Sequence, residues 1–223
     1  MPSDSQLTVK QQRDARRAEK VAALKKREAI TKRNRLIGGI VGGVIGLGVL
    51  ALIVVLIITS VVPKPDPAAI EIEGLETFDD LVGAHVDGTP VDYEELYDMN
   101  PPAGGDHFSA WLNCGVYTEV QQNENAVHAL EHGAIWVTYD PEQIDDDELN
   151  TLVGQLPSTY SLVSPFPGLP APVVMSGWGA QLELDGVNDE RISDFLDKFW
   201  RAQTVPEPAG ACTGAIDGPG KVA

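Results

Sequence analysis

Three of the chain's four histidines, His107, His128 and His132, fall in one short stretch, GDHFSAWLNCGVYTEVQQNENAVHALEHG, and the fourth, His85, lies a little upstream. Two of them frame a glutamate in His128-Ala-Leu-Glu131-His132. Imidazole is the commonest metal ligand and the only side chain whose unperturbed titration falls near neutral pH. His128 and His132 are four residues apart, so on a helix they share one face. His107 arrives on a Gly-rich loop that can approach closely. Two or three imidazoles suit copper, zinc or nickel. Met99, eight residues before His107, and Met175, on an expected strand, add thioether sulfur, which shifts the preference toward Cu(I). Glu131 either ligates or orients a ring from behind. The expected metal site is therefore His107, His128, His132 and Glu131, with copper as the first choice of cofactor and zinc as the second.

Two other readings compete for these residues. His128-x-x-Glu131-His132 matches H-x-x-E-H, the inverted zinc-peptidase motif, in which the histidines bind zinc and the glutamate is the general base. That motif needs a long helix and a third, acidic ligand from another helix. Here Gly133 follows at once and a strand comes next, while Glu207 is distant and sits in a Pro-rich tail. A zinc metallopeptidase therefore ranks last. No Gly-x-Ser-x-Gly is present for a serine hydrolase, and no catalytic residue is assigned. In the remaining reading the histidines satisfy buried polar contacts. The protein is then a non-enzymatic envelope assembly or interaction subunit of a larger membrane complex. The run Asp145-Asp146-Asp147-Glu148 lacks the spacing of a calcium loop and reads as a solvated helix start.

The compartment follows from residues 36–62, LIGGIVGGVIGLGVLALIVVLIITSVV, which contain no charged residue. A spanning helix needs about 20 apolar residues, and a cleaved signal peptide has a shorter apolar region with a small-residue cleavage site. The run is expected to be an uncleaved, single-pass transmembrane helix in the cell membrane. Residues 1–35 hold eleven Lys/Arg against four Asp/Glu, a net of +7, and the rest of the chain holds five basic against 29 acidic residues, a net of −24. Basic flanks stay cytoplasmic, so the N-terminus is expected inside and the acidic C-terminal portion outside. Residues 1–35 are rich in helix formers and lack an apolar stripe. They read as a cytoplasmic helical arm that orients the anchor and hugs anionic lipid, or that docks a cytoplasmic partner.

The partners implied are the lipid bilayer and a second helix, either the chain's own copy or another subunit. Gly38, Gly42 and Gly46 are spaced by four, and small residues at this spacing let helices pack closely; the competing reading is that glycine is simply common in membrane helices. An outer domain this acidic is expected to bind no nucleic acid, whereas its charge raises the local cation concentration.

The only two cysteines, Cys114 and Cys212, both lie on the outer side. An even pair outside the cytoplasm points to a disulfide, which would pin down the Pro/Gly/Ala-rich segment around Cys212. The alternative is a Cys114 thiolate ligand beside the histidines.

Elements that would position these residues can be read from pattern. The chain divides into the arm at 1–35, the helix at 36–62, a linker at 63–70, an extracytoplasmic α/β domain at 71–215 and a flexible tail at 216–223. Glu76 to Asp98 reads as irregular, with TFDDLVG as a short helical turn, and NPPAGGD must be loop. Ala134 to Tyr139 reads as a strand, Pro141 to Leu156 as a helix with acids at its positive end, and Tyr160 to Val163 as a second strand. Val173 to Trp178 and Gln181 to Leu184 read as a hairpin. Asn188 caps a last amphipathic helix with Ile192, Phe195, Leu196 and Phe199 on one face. The fold class is α/β (α+β): a small mixed sheet with two helices packed on one face, preceded by a single transmembrane helix. The order is compatible with a thioredoxin-like core, but with no Cys-x-x-Cys its redox chemistry is not implied.

Four motifs together resemble a known family. They are Asn100-Pro101-Pro102-Ala103-Gly104-Gly105-Asp106-His107, then Trp111-x-x-Cys114-Gly115-Val116-Tyr117, then Glu124-x-x-Val127-His128-x-Leu130-Glu131-His132-Gly133, then Tyr139. The pattern, covering roughly residues 70–215, is similar to the bacterial, mostly actinobacterial, domain of unknown function 3105. The resemblance implies a membrane-anchored extracytoplasmic protein and brings no activity. It implies the Cys114–Cys212 pair for only part of the family.

Overall fold

The computed structural model describes residues 9–61 and 66–222, which divide between two compact units, Met1–Lys64 and Pro65–Ala223. In the first, Val9–Val61 is one uninterrupted helix, α1. Its first half is rich in Ala, Lys, Arg, Gln and Glu, which lose little side-chain freedom in a helix. Its second half is apolar, and after Pro2 the next proline comes only at Pro63. The stretch Arg16–Ile57 is long and apolar enough to cross a membrane. Large side chains such as Leu36, Val44 and Leu47 are exposed along it, so the helix presents an apolar surface that water would not favour. The first eight residues of the expected arm lie outside the described residues. So do the last residue of the expected membrane helix and residues 63–65 of the expected linker.

The second unit contains, after a 3-10 turn at Pro67–Ala69, β1 (Leu75–Thr77), α2 (Tyr93–Tyr97), β2 (Gly115–Val116), α3 (Asn123–Glu131), β3 (Ile135–Tyr139), α4 (Asp146–Gln155), β4 (Ser161–Pro165), β5 (Val173–Gly177), β6 (Ala180–Leu184) and α5 (Arg191–Phe199). The strands form one mixed sheet in the order β1-β6-β5-β3-β4-β2. β3 and β4 are parallel, with α4 as their crossover, and β2 adds in parallel to β4. β5 runs antiparallel to β3, and β6 and β1 continue antiparallel. The register sets Val137 between Val163 and Met175.

Alternation along the strands splits the buried residues in two. Ile135, Val137, Val163, Val173, Met175, Leu182 and Leu184 point to one side, where they meet Leu152 of α4 and Ile192 and Phe195 of α5. Trp136 and Leu162 point to the other, where they meet Ala126, Ala129 and Leu130 of α3, together with Leu112, Tyr117 and Cys212. The expected mixed sheet with two helices on one face is thus present, and a third helix lies on the opposite face.

Several local expectations are corrected. α4 starts at Asp146, not Pro141, because Asp145 forms a capping box with Glu148 and the preceding residues turn around the Asp140 carboxylate. Asn188 is not a cap: Asp189 accepts from the Arg191 backbone instead. TFDDLVG forms no helical turn; it begins with Thr77 of β1, and Asp80 takes a left-handed φ of 57°. The segment expected as a flexible tail is hydrogen-bonded through Val222. Asn113 N–H donates to the Ile216 carbonyl at 2.8 Å, Thr118 N–H to Gly220 at 2.9 Å, and Val222 N–H to Val116 at 2.9 Å. Its Gly- and Pro-rich sequence carries no periodicity, so only pairing with the β2 region orders it.

Candidate metal centre

The site is built on the short helix α3 and on three irregular segments that wrap it. Eight of the nine α3 residues are buried, polar ones included. One face, Ala126, Ala129 and Leu130, packs on the sheet, while Glu124, Asn125, His128 and Glu131 face the wrapping segments. Gly133, at φ 90°, ends the helix where a side chain would be strained, and its N–H satisfies the Leu130 carbonyl at 2.8 Å. His132 is therefore the C-cap just past the last helical residue, Glu131, and its ring meets that of His128 edge-on with centroids 4.7 Å apart.

The wrapping segments fix the rings through backbone carbonyls. His107 follows Gly104-Gly105, and its Nδ1 lies 2.8 Å from the Gly105 carbonyl. His128 Nδ1 lies 2.7 Å from the Phe108 carbonyl, and His132 Nδ1 lies 2.6 Å from the Ala211 carbonyl. A carbonyl only accepts, so each Nδ1 carries the proton, and each neutral ring presents the lone pair of Nε2. His85 reaches the group on a strap paired to His107: His107 N–H donates to Ala84, and Val86 N–H to the His107 carbonyl, both at 2.9 Å. The His85 ring stacks on His128 with centroids 5.1 Å apart and meets His107 edge-on at 5.0 Å.

His85, His107, His128 and Glu131 each present a ligand atom, and all four atoms lie within 4.8 Å of one another. Around an ion with ~2.1 Å bonds, tetrahedral donors stand about 3.4 Å apart, so a contraction of at most about 1.4 Å closes the shell. His128, His132 and Glu207 meet the same 4.8 Å limit. The expected quartet is thus divided. His107, His128 and Glu131 come together with His85, whereas His132 pairs with Glu207, its Nε2 3.2 Å from Glu207 Oε2.

His107 Nε2 lies 3.1 Å from Glu131 Oε2, both side chains buried, yet this nitrogen has no directed hydrogen-bond partner. With Nδ1 already a donor, a lone pair would face a carboxylate across that gap. Such a pair is repulsive unless something positive, a proton or a cation, lies between. The electrostatics agree. Burial opposes charge on His107, but Glu131, the Gly105 carbonyl and Asp106 outweigh it and raise its pKa. Burial lowers that of His128, with neighbouring His107 and His132 adding to the effect despite the Phe108 carbonyl. Burial would raise Glu131, but His107 and the other imidazoles hold it low.

His85 and Glu207 are the members that spacing did not pick out. His85 precedes the cluster by more than twenty residues, and only the strap pairing brings it in. In the sequence Glu207 reads only as a distant acidic ligand in a Pro-rich tail. Gly83 is a further silent contributor: a Cβ there would stand 2.7 Å from Glu131 Oε1 and 3.1 Å from His107 Cε1. The sulfur expectations fail. Met99 is buried and accepts from Ala103 N–H at 3.3 Å, and Met175 points into the core beneath α4 and α5. Cys114 is disulfide-bonded to Cys212, 98 residues away, so it offers no thiolate. The glutamate of H-x-x-E-H faces His107, and its helix is nine residues long.

Residues 85–214, more than half of the chain, match a family described as Protein of unknown function (DUF3105). No curated protein and no solved structure matches the chain.

Proposed function

The chain belongs to the DUF3105 family, proteins of unknown function, and from the geometry of its histidine cluster we propose that the domain binds a divalent transition-metal ion through His85, His107, His128 and Glu131. The observation that carries this reading is the buried His107 Nε2 held 3.1 Å from Glu131 Oε2 while its Nδ1 is committed to a carbonyl. Three imidazoles and one carboxylate form a nitrogen-and-oxygen donor set. Without thioether or thiolate, the set favours copper(II) and zinc over Cu(I). The carbonyls behind the His107 and His128 rings fix their tautomers and aim, as the outer partners of metal-bound histidines do.

The test uses the full-length chain in detergent, exposed to copper(II) or zinc(II), stripped of weakly held ions with a mild chelator, and analysed by mass spectrometry. One ion per chain, lost in His107→Ala, supports the reading. Metal far below one per chain in the wild type sinks it.

The long apolar helix supports a single-pass anchor with the basic residues before it on the cytoplasmic side and the acidic domain outside. A reporter enzyme that works only outside the cytoplasm, fused after Ala223, is active under this topology and silent under the reverse. A second reading, a subunit of a larger membrane assembly, draws on Gly38, Gly42 and Gly46. A Cβ at each would meet nothing within 4 Å, leaving space for another helix to approach. Crosslinking in membranes yields a dimer or a hetero-complex under this reading; monomer alone counts against it.

A further inference from the structure

We propose that His128, His132 and Glu207 form a second position for the same ion, and that the ion exchanges between the two positions about His128 as a shared pivot. This rests on the metal-binding reading above and goes beyond it: the site becomes a two-station passage for a borderline transition-metal ion instead of a closed storage site.

Four observations carry it. First, both ligand sets contain His128. Its Nδ1 is held by the Phe108 carbonyl, so Nε2 alone is available, and one lone pair binds one ion at a time. The two positions are therefore alternatives. Second, they are chemically matched. Each has a buried histidine whose Nδ1 donates to a carbonyl and whose Nε2 faces a carboxylate, His107 with Glu131 at 3.1 Å and His132 with Glu207 at 3.2 Å. An ion moving between them keeps an imidazole-plus-carboxylate pair and the same charge balance. Third, each position has one member in solvent. His85 is exposed at one, and the Glu207 side chain is 54% exposed at the other, while His128 between them is 3% exposed. The passage thus has two mouths and a buried centre.

Fourth, the outer position is built, not incidental. Gly210 leaves room for the His132 ring, where a Cβ would fall 2.4 Å from Cδ2. Trp111 packs on the same ring with centroids 5.0 Å apart. Glu207 N–H donates to the Glu131 carbonyl at 3.2 Å, so the residue whose carboxylate serves the inner position also anchors the backbone of the outer one.

The exchange conserves ligands. A donor from the new set binds the ion before the corresponding donor of the old set leaves, and no bond other than metal–ligand bonds is made or broken. Losing the second position closes the Glu207 mouth and leaves only the His85 mouth, so it slows entry and exit more than it weakens holding.

The test uses full-length protein in detergent with cobalt(II) as probe, followed by its visible absorption, then chased with excess zinc(II). The wild type takes up one cobalt per chain. Glu207→Gln, a change at an exposed carboxylate, slows the cobalt-to-zinc exchange by about tenfold or more while equilibrium affinity falls no more than about threefold. His132→Gln slows it equally. Two tightly held cobalt ions per chain overturn the shared pivot. Wild-type exchange rates in both variants overturn the second position while leaving the inner site standing. No cobalt bound by the wild type overturns the metal reading and this inference with it.

Discussion

The two faces of the sheet are built by different physics. Beneath α4 and α5, the inward residues are almost all apolar, Val137, Val163, Met175, Leu182, Ile192 and Phe195 among them. Burial there is non-directional, and its strength follows area. On the other face polar groups are buried as well, and each needs a partner with direction. Trp136 Nε1 donates to Ser164 Oγ at 3.0 Å, and Gln181 Nε2 donates to the Pro101 carbonyl at 2.8 Å and to Ser176 Oγ at 3.0 Å. His107 and His128 each donate to a carbonyl of the Gly105–Phe108 loop, and His132 donates to the Ala211 carbonyl. One face supplies stability, and the other spends part of it to hold a set of aimed nitrogen and oxygen atoms.

The difference predicts where each kind of damage falls. The polar face depends on a covalent tie: Cys114–Cys212 closes a 98-residue separation and brings the Glu207–Ala211 segment onto His132. Replacing both cysteines by serine is expected to cost about 4.7 kcal/mol from chain entropy, measured by urea unfolding of the oxidised and double-mutant proteins. A loss below about 1 kcal/mol would mean that loop pairing alone holds this face. Next in size is Phe195→Ala on the apolar face. It removes a fully buried ring and is expected to cost about 4 kcal/mol. Metal affinity at saturating stability should be unchanged, because no site residue touches that cluster. If affinity drops with it, the faces are coupled and the comparison fails.

The same contrast explains what the sequence revealed. Val173 to Leu184 and the helix carrying Ile192, Phe195 and Leu196 were legible because apolar periodicity is local, and burial on this face asks for nothing else. The α3 side was legible only in part. His107, His128 and Glu131 stood out by type and spacing. His85 and Glu207 did not, because strap pairing and a disulfide-tied loop deliver them, and neither leaves a periodic trace. Met99 and Met175 misled for the converse reason: a thioether serves packing as readily as ligation, and here both are packed. Asn188 does not cap α5: the cap position is Glu190, which makes no side-chain cap bond, and the Asp189 carboxylate instead accepts from the Arg191 backbone.

On the polar face, the prediction of greatest diagnostic value is His128→Ala. As the member common to both ligand sets, it should lower metal affinity by at least about 100-fold, worth about 2.7 kcal/mol, read by competition with a coloured chelator. His85→Ala and His132→Ala should each cost less, because each belongs to one set. An equal loss from all three would indicate a single shell with no division.

The apolar face has an electrostatic clamp of its own, and it gives the smallest and most specific effect. Arg191 bridges the start of α5 to two backbones, donating to the Glu73 and Glu183 carbonyls at 3.0 Å each, and pairs with Asp189 Oδ2 at 2.6 Å. Hydrogen bonds from Arg191 hold the Asp189 carboxyl down to about 2 against the raising effect of burial. The folded value lies below the unfolded value of about 3.9, so the carboxylate contributes its full stability above about pH 4. That contribution is lost as pH falls from about 4 through about 2. With Arg191 partly exposed, solvent screening limits it to about 1–2 kcal/mol. Asp189→Asn should therefore be less stable than the wild type by that margin at pH 6, and the gap should close near pH 2, as read from unfolding midpoints across the range. A gap that stays constant through that window would mean the clamp works by shape and hydrogen bonding alone. Acid sensitivity in the domain would then rest with the other carboxylates held low, such as Asp140, Asp217 and Glu131.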